Sequence, residues 1–219
     1  MTFDWSIIQT HAGELLQGTE LTIMLAVATM AIAIPGGIIL ALLRLSGSRI
    51  LAAISASFTE FFRNLPLILV IYAAYYMLPL AFDFAFSPIV TALIALSLNV
   101  SAYNGETFRA GIASIRRGQS EAALALGMSR FQAMREVILP QAIRRVLPVL
   151  ASTWVSLFKD TSLVSVIAVG DLAYTSMRIR SQTFRVLEML TAMAAIYWML
   201  GYPQAKLVDW LNRRTGISE

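Results

Sequence analysis

The chain has 219 residues, of which 58% are hydrophobic and 14% are charged. Soluble domains are about 45–50% apolar and about 25% charged, so the composition excludes an ordinary soluble protein and indicates an integral membrane protein. The chain has no cysteine, which excludes disulfides, thiolate catalysis and cysteine-ligated metals.

Five apolar stretches are long enough to cross a membrane core of about 30 Å, which takes about 20 helical residues. These predicted spans are Leu21–Leu43, Ile54–Tyr76, Pro88–Phe108, Val146–Val169 and Val186–Tyr202. We therefore predict an all-α polytopic membrane protein with five transmembrane helices. The whole chain, residues 1–219, is predicted to form a single transmembrane domain.

The net charge of +4 comes from basic residues that flank the apolar stretches. Because these residues lie beside membrane spans, we exclude a nucleic-acid partner. Many arginines lie between spans three and four, whereas no lysine or arginine precedes span one. The positive-inside rule then predicts that the amino end lies outside and the carboxyl end inside.

Span two contains a proline and a group of polar residues. Pro66 leaves the carbonyl of Phe62 without its usual helical partner. Glu60 and Arg63 are three residues apart, which permits an ion pair within the helix. Alternatively, Arg63 faces a translocation path or a partner subunit, with Asn64 beside it. The sequence leaves both alternatives open.

Span three carries polar residues on one side. Asn99, Tyr103 and Glu106 recur at helical spacing. Such a face normally holds membrane helices together, and lining a path is the alternative.

The segment between spans three and four is too polar to cross a membrane. Residues 121–126 favour a helix, and Gly127 is a typical helix stop. Ser129 and Gln132 have the spacing of a capping box, which begins a second helix. We predict two short helices, hinged at Gly127, in a cytoplasmic loop of about residues 112–145.

Charged residues interrupt span four. Lys159 and Asp160, followed by Thr161 and Ser162, lie in an otherwise apolar stretch. A charge at that depth costs about 2.5–3.5 kcal/mol on insertion scales, so such residues normally face a cavity, a partner or a substrate. If the helix breaks there, the last three residues can cap a new helix amino terminus that favours an anion. If it continues, Lys159 and Asp160 lie about 100° apart and each needs an external partner.

The polar loop contains Glu-Ala-Ala at residues 121–123, glycine at 127 and Ile-Leu-Pro at 138–140. In these residues and their spacing it resembles the Glu-Ala-Ala loop of ABC importer permeases. Residues 62–67 (FRNLPL) and 159–163 (KDTSL) resemble segments of the polar amino acid branch, which is histidine/glutamine/glutamate permease-like. The resemblance covers about residues 58–172.

The resemblance implies a type I ABC importer permease (MetI-like) fold and a bacterial inner membrane location. The chain would be the membrane-spanning subunit of an ATP-driven importer for polar amino acids, and not itself an enzyme. It would hold no cofactor, because ATP and Mg would be bound by a partner ATPase. Its implied partners are a cytoplasmic ATPase dimer, a periplasmic or lipid-anchored amino-acid-binding protein, a second copy or sister permease, and membrane lipid.

Two sets of site residues follow from the resemblance and from charge complementarity. The ATPase-coupling residues would be Glu121, Ala122, Ala123, Gly127, Arg130 and Phe131. The translocation path would include Arg63, Asn64, Lys159, Asp160, Thr161 and Ser162. A structural pair of Lys159 and Asp160 across a dimer is the alternative to substrate contact.

Three other functions are compatible with a polytopic membrane protein. An ATP-independent secondary transporter or channel would not need the hinged loop. A membrane enzyme would need a catalytic constellation, and the only histidine, His11, lies outside the spans. A non-transporting assembly subunit is the third. Residues 117–120 resemble permeases for glutamate and aspartate, but this loop touches no substrate, so the amino acid remains open.

Overall fold

Helices account for nearly all of residues 4–215, the part of the chain that the computed structural model describes. The predicted domain of residues 1–219 extends beyond that part at both ends. The first half contains α1 (Ser6–Thr10), α2 (Ala12–Leu45), α3 (Arg49–Asn64), α4 (Leu67–Tyr72), a π-helical turn (Ala73–Met77) and α5 (Leu78–Phe82). The second half contains α6 (Pro88–Ala113), α7 (Arg117–Ala125), α8 (Arg130–Gln132), a π-helical turn (Ala133–Ile138), α9 (Leu139–Asp160), a 3-10 helix (Thr161–Ile167), α10 (Leu172–Thr183) and α11 (Val186–Thr215).

Each predicted span falls on a long helix or a bent pair of helices. By length and apolar composition, α2 and α6 are each able to cross a membrane. The segment from α3 to α5 is a third candidate, although it bends by 107°. Spans four and five correspond to α9 with its 3-10 extension and to α11.

The two helices that are long and apolar enough to cross a membrane, α2 and α6, pack together at glycines. A Cβ atom at Gly37 would lie 2.6 Å from Asn104 Cβ and 2.9 Å from the backbone nitrogen of Gly105. Small residues permit this approach, and close backbone packing is a main source of helix association in lipid. The α2–α6 pair forms one wall of the buried apolar cluster, which includes Leu25 and Leu96.

Span two is not one continuous helix. It breaks at Leu65, which has an extended backbone (φ −93°, ψ 137°), and resumes at Leu67 after Pro66. The proline ring disfavours helical geometry in the preceding residue and removes a backbone donor. The chain therefore turns by 107° at this point.

The polar loop between α6 and α9 forms the predicted turn at Gly127. Gly127 has φ +83°, its N–H donates to the Leu124 carbonyl, and the Met128 N–H donates to the Ala123 carbonyl. This pattern is the Schellman motif, in which a left-handed residue closes a helix. The predicted capping box of Ser129 and Gln132 is also present.

The second helix of the loop is longer than predicted. After Gly127 the chain continues from α8 through a π-helical turn directly into α9. The loop therefore consists of one separate helix, α7, and the projecting end of the helix that includes span four.

Span four neither breaks into a new helix nor continues as an α-helix. After Asp160 it tightens into a 3-10 helix, which ends at Ala168 with φ +59°. Thr161 and Ser162 do not cap an amino terminus: their hydroxyls donate to the carbonyls three residues earlier, of Phe158 and Lys159, at 2.8 Å each. The anion-favouring helix terminus that a broken helix would have created is therefore absent at this position.

Candidate functional site

A groove lies beside the α3–α4 bend, between α6 and α9. We call it the upper groove. Its volume of about 620 Å³ is within the range of small-molecule sites, about 300–1,000 Å³. The bend supplies Arg63 and Asn64, α6 supplies Asn99 and Tyr103, and α9 supplies Ser152, Thr153, Ser156 and Asp160. The bend thus brings residues of two distant motifs into one lining.

Side chains of α6 satisfy the backbone groups that the bend exposes. Asn99 Nδ2 donates to the carbonyl of Phe62 at 2.9 Å, which is the carbonyl that Pro66 leaves without a partner. The Tyr103 hydroxyl donates to the Arg63 carbonyl at 3.4 Å. An unpaired carbonyl away from water is costly, so these contacts stabilise the bend. The polar face of span three therefore both holds helices together and lines the groove.

The guanidinium of Arg63 packs on an aromatic ring. Its Cζ lies 5.5 Å from the centroid of the Tyr103 ring, within the range of a cation–π contact. No ion pair joins Arg63 to Glu60 within residues 4–215, so of the two alternatives that the sequence left open, the intrahelical pair is the one that does not form. Glu106 is instead paired with Arg109, whose Nε donates to Glu106 Oε2 at 2.9 Å.

The residues of the charged cluster at the end of α9, 159–162, lie in different environments. Asp160 lines the upper groove, and Lys159, which is next to it on the helix, does not. Thr161 is fully buried, and Ser162 bonds its own helix. Of the six path residues predicted, the groove therefore unites Arg63, Asn64 and Asp160. The three α9 hydroxyls that precede Asp160 were not predicted, although their helical spacing with Asp160 was a signal.

A second groove continues toward the end of α6. We call it the lower groove, and its volume is about 950 Å³. Arg63, Tyr103, Val149 and Thr153 line both grooves. Further along, Thr107 and Arg145 line the lower groove alone.

The helix α7, the turn after it and the start of α8 present a mixed apolar and charged surface. Glu121, Ala122 and Arg130 are exposed, and two large apolar side chains project beside them: Leu126 is 80% exposed and Phe131 is 73% exposed. Exposed apolar groups at a charged rim are typical of a docking surface. Ala123 is different, because it is buried within the chain itself and so packs α7 onto the neighbouring helix. Leu126 was not singled out from the sequence.

Comparisons with known proteins give a consistent result. A sequence model of the family described as "Binding-protein-dependent transport system inner membrane component" matches residues 33–217. The glutamate/aspartate import permease protein GltK of Escherichia coli O6:H1 is 37% identical over 220 residues, which cover 97% of this chain and 98% of that protein. The glutamine transport system permease protein GlnP of Escherichia coli K12 is 36% identical over 222 residues, covering 99% of this chain and all of that one.

A solved structure shares both the fold and the sequence pattern. The crystal structure of an amino acid ABC transporter with histidines contains a chain that superposes with a TM-score of 0.92 at 32% identity, covering 98% of this chain and 100% of that one. The all-helical fold is therefore the ABC importer permease fold that the motifs predicted. The chain belongs to the family of binding-protein-dependent transport inner membrane components, and it is the permease of an amino acid ABC importer.

Proposed function

We propose that the chain forms half of an ATP-driven import path for polar amino acids, with the upper groove as the place where the substrate passes. The observation that carries this proposal is the meeting of Arg63, Asn64 and Asp160 in one lining. The groove offers one cation, one anion and several hydroxyls. A zwitterionic amino acid offers the complementary carboxylate and ammonium.

We assign a role to each predicted path residue. Arg63 would meet the substrate carboxylate and Asp160 the ammonium, while Asn64 would supply hydrogen bonds. Lys159, Thr161 and Ser162 would hold the end of α9 in place, since they lie outside the lining of the upper groove. In a second copy or a sister permease, Lys159 would find an acidic partner.

The charges of the groove are complementary to the backbone charges of any amino acid. We therefore propose that a separate binding protein distinguishes between amino acids by their side chains. Glutamate and aspartate are the substrates that we propose first, because residues 117–120 resemble permeases for acidic amino acids. One of the similar relatives, GltK, is named as a glutamate/aspartate import permease. A periplasmic or lipid-anchored binding protein would deliver the amino acid to the outer side, where we place the amino end.

We propose that α7 docks on a cytoplasmic ATPase, which binds ATP and Mg. The exposed Phe131 would anchor in a pocket, since buried aromatic anchors dominate many interfaces. Glu121 and Arg130 would form the charged rim, and Ala122 would permit close approach. Ala123 and Gly127 would fix the shape of the docking element. Two ATPase subunits, drawn together by ATP, would move two such elements.

Uptake by the complete transporter in vesicles tests the proposal. We expect ATP-dependent uptake of labelled glutamate and aspartate in the presence of the binding protein. Asp160→Asn and Arg63→Gln should each raise the KM for uptake by about tenfold, the effect of losing about 1.4 kcal/mol of binding.

A variant of the docking surface separates coupling from substrate contact. Phe131→Ala should abolish uptake and the association with the ATPase, yet leave the permease folded. Leu16→Ala is a matched control, because Leu16 is 69% exposed on α2, away from α7. Uptake that continues in Phe131→Ala, or without any ATPase, would favour an ATP-independent transporter and overturn the proposal.

A further inference from the structure

Arg63 and Tyr103 lie where the upper and lower grooves meet. Both residues line both grooves, whereas Ser156 lines only the upper one and Thr107 only the lower one. A substrate that moved between the grooves would therefore pass this pair. Tyr103 is 41% exposed and Arg63 is also exposed, so neither side chain is fixed by burial.

A single tyrosine contacts both ends of the arginine. The ring lies under the guanidinium at 5.5 Å, and the hydroxyl reaches the arginine's own carbonyl at 3.4 Å. Within residues 4–215 no carboxylate forms an ion pair with Arg63: Glu106 is paired with Arg109 and attracts the Arg63 guanidinium only at longer range. The guanidinium of Arg63 is therefore held at the junction of the two grooves by its contact with the Tyr103 ring, which a competing anion can replace.

The position of Arg63 in the chain makes the contact movable. It is the second-last residue of α3, directly before the 107° bend. A few terminal residues of a helix commonly absorb the backbone change when membrane helices rearrange. A small change at the bend would carry the guanidinium away from the ring.

We propose that Arg63 and Tyr103 form a gate between the two grooves, which is closed while the guanidinium lies on the ring. The substrate carboxylate opens it by taking the guanidinium from the ring, since a carboxylate forms a stronger contact with arginine than an aromatic face does. This proposal rests on the proposed function, because it requires the substrate to pass through the upper groove. It assigns to Tyr103 a role in gating that is distinct from substrate binding.

The absence of native cysteine permits a direct test. Thr107→Cys and Ser156→Cys are introduced singly into the complete transporter. The reaction of Thr107→Cys with a membrane-impermeant thiol reagent first shows from which side of the membrane the lower groove is accessible. The same reagent is then applied to Ser156→Cys from that side. Ser156→Cys should react slowly with the native gate. It should react about tenfold faster when Tyr103→Ala or Arg63→Gln is added. Tyr103→Phe keeps the aromatic ring and should keep the slow rate.

Tyr76→Ala is the matched control, because Tyr76 is an exposed tyrosine that lines neither groove and whose ring packs on Tyr72 and Tyr75. It should leave the Ser156→Cys rate unchanged. Equal rates in Tyr103→Ala, Arg63→Gln and the native gate would overturn the proposal. If Tyr103→Ala fails to assemble, Arg63→Gln decides alone. The labelling needs no transport, so a failed gate is distinguishable from failed ATP-driven uptake, which would overturn the proposed function instead.

Discussion

The turn at Gly127 gives the sharpest quantitative prediction, which concerns Gly127→Ala. Gly127 has φ +83°, and a Cβ atom there would meet nothing within 4 Å. The cost of alanine is therefore backbone strain alone, about 1–2 kcal/mol for a residue with a side chain in the left-handed region. A change of this size reduces the population of the native turn by a factor of about 5–30. The orientation of α7 relative to α9 should become less defined.

The assay compares ATP hydrolysis and amino acid uptake in the same vesicles. Gly127→Ala should lower the amount of amino acid taken up per ATP hydrolysed, because the docking surface no longer moves rigidly with the spans. Gly127→Asn should recover part of the loss, since asparagine tolerates the left-handed region better than alanine. Gly118→Ala is the control: Gly118 lies inside α7 and also has open space at its Cβ. If both alanine variants behave alike, backbone strain at the turn is not what couples α7 to the spans.

Three further changes probe other parts of the structure. Gly37→Ala should lower the unfolding free energy in detergent by about 1–3 kcal/mol through overpacking. Gly201→Ala is the control, because a Cβ atom there meets open space, and equal melting temperatures of the two variants would contradict the α2–α6 packing. Asn99→Leu should lower the same unfolding free energy by about 1–3 kcal/mol, because the Phe62 carbonyl loses its donor. An unchanged stability would show that the bend does not need this hydrogen bond. Asp160→Ala should raise the KM for uptake while ATP hydrolysis without substrate stays constant; an unchanged KM would remove Asp160 from the path.

Local signals account for the parts of the fold that the sequence predicted well. The turn at Gly127 and the capping box at Ser129 depend on residues within a few positions of each other, and both are present. The apolar stretches likewise correspond to long helices, because membrane length restricts the choice of structure.

Non-local contacts account for the parts that the local sequence pattern left open. Pro66 indicated a freed carbonyl, but the donor that stabilises a full bend is Asn99, which is 37 residues away. At the end of α9, the residue types of Thr161 and Ser162 permit either an amino-terminal cap or a bond back to their own helix. The choice is made by burial of Thr161 in the core, which no local pattern specifies. The pairing of Arg63 with Tyr103 rather than Glu60 depends on the same bend.

The connections of α7 explain why motion at one end of the molecule would reach the grooves. The chain enters α7 from α6 and leaves it, through Gly127, toward α9, so both groove walls are attached to this one helix. Arg145 Nη1 of α9 donates to the carbonyl of Ser114, at the end of α6, at 2.7 Å and to its hydroxyl at 2.9 Å. A displacement of α7 therefore moves the lower ends of α6 and α9 together. The α3–α4 bend is joined to α6 by the hydrogen bonds of Asn99 and Tyr103, which is why the junction at Arg63 is where such a movement would change the path.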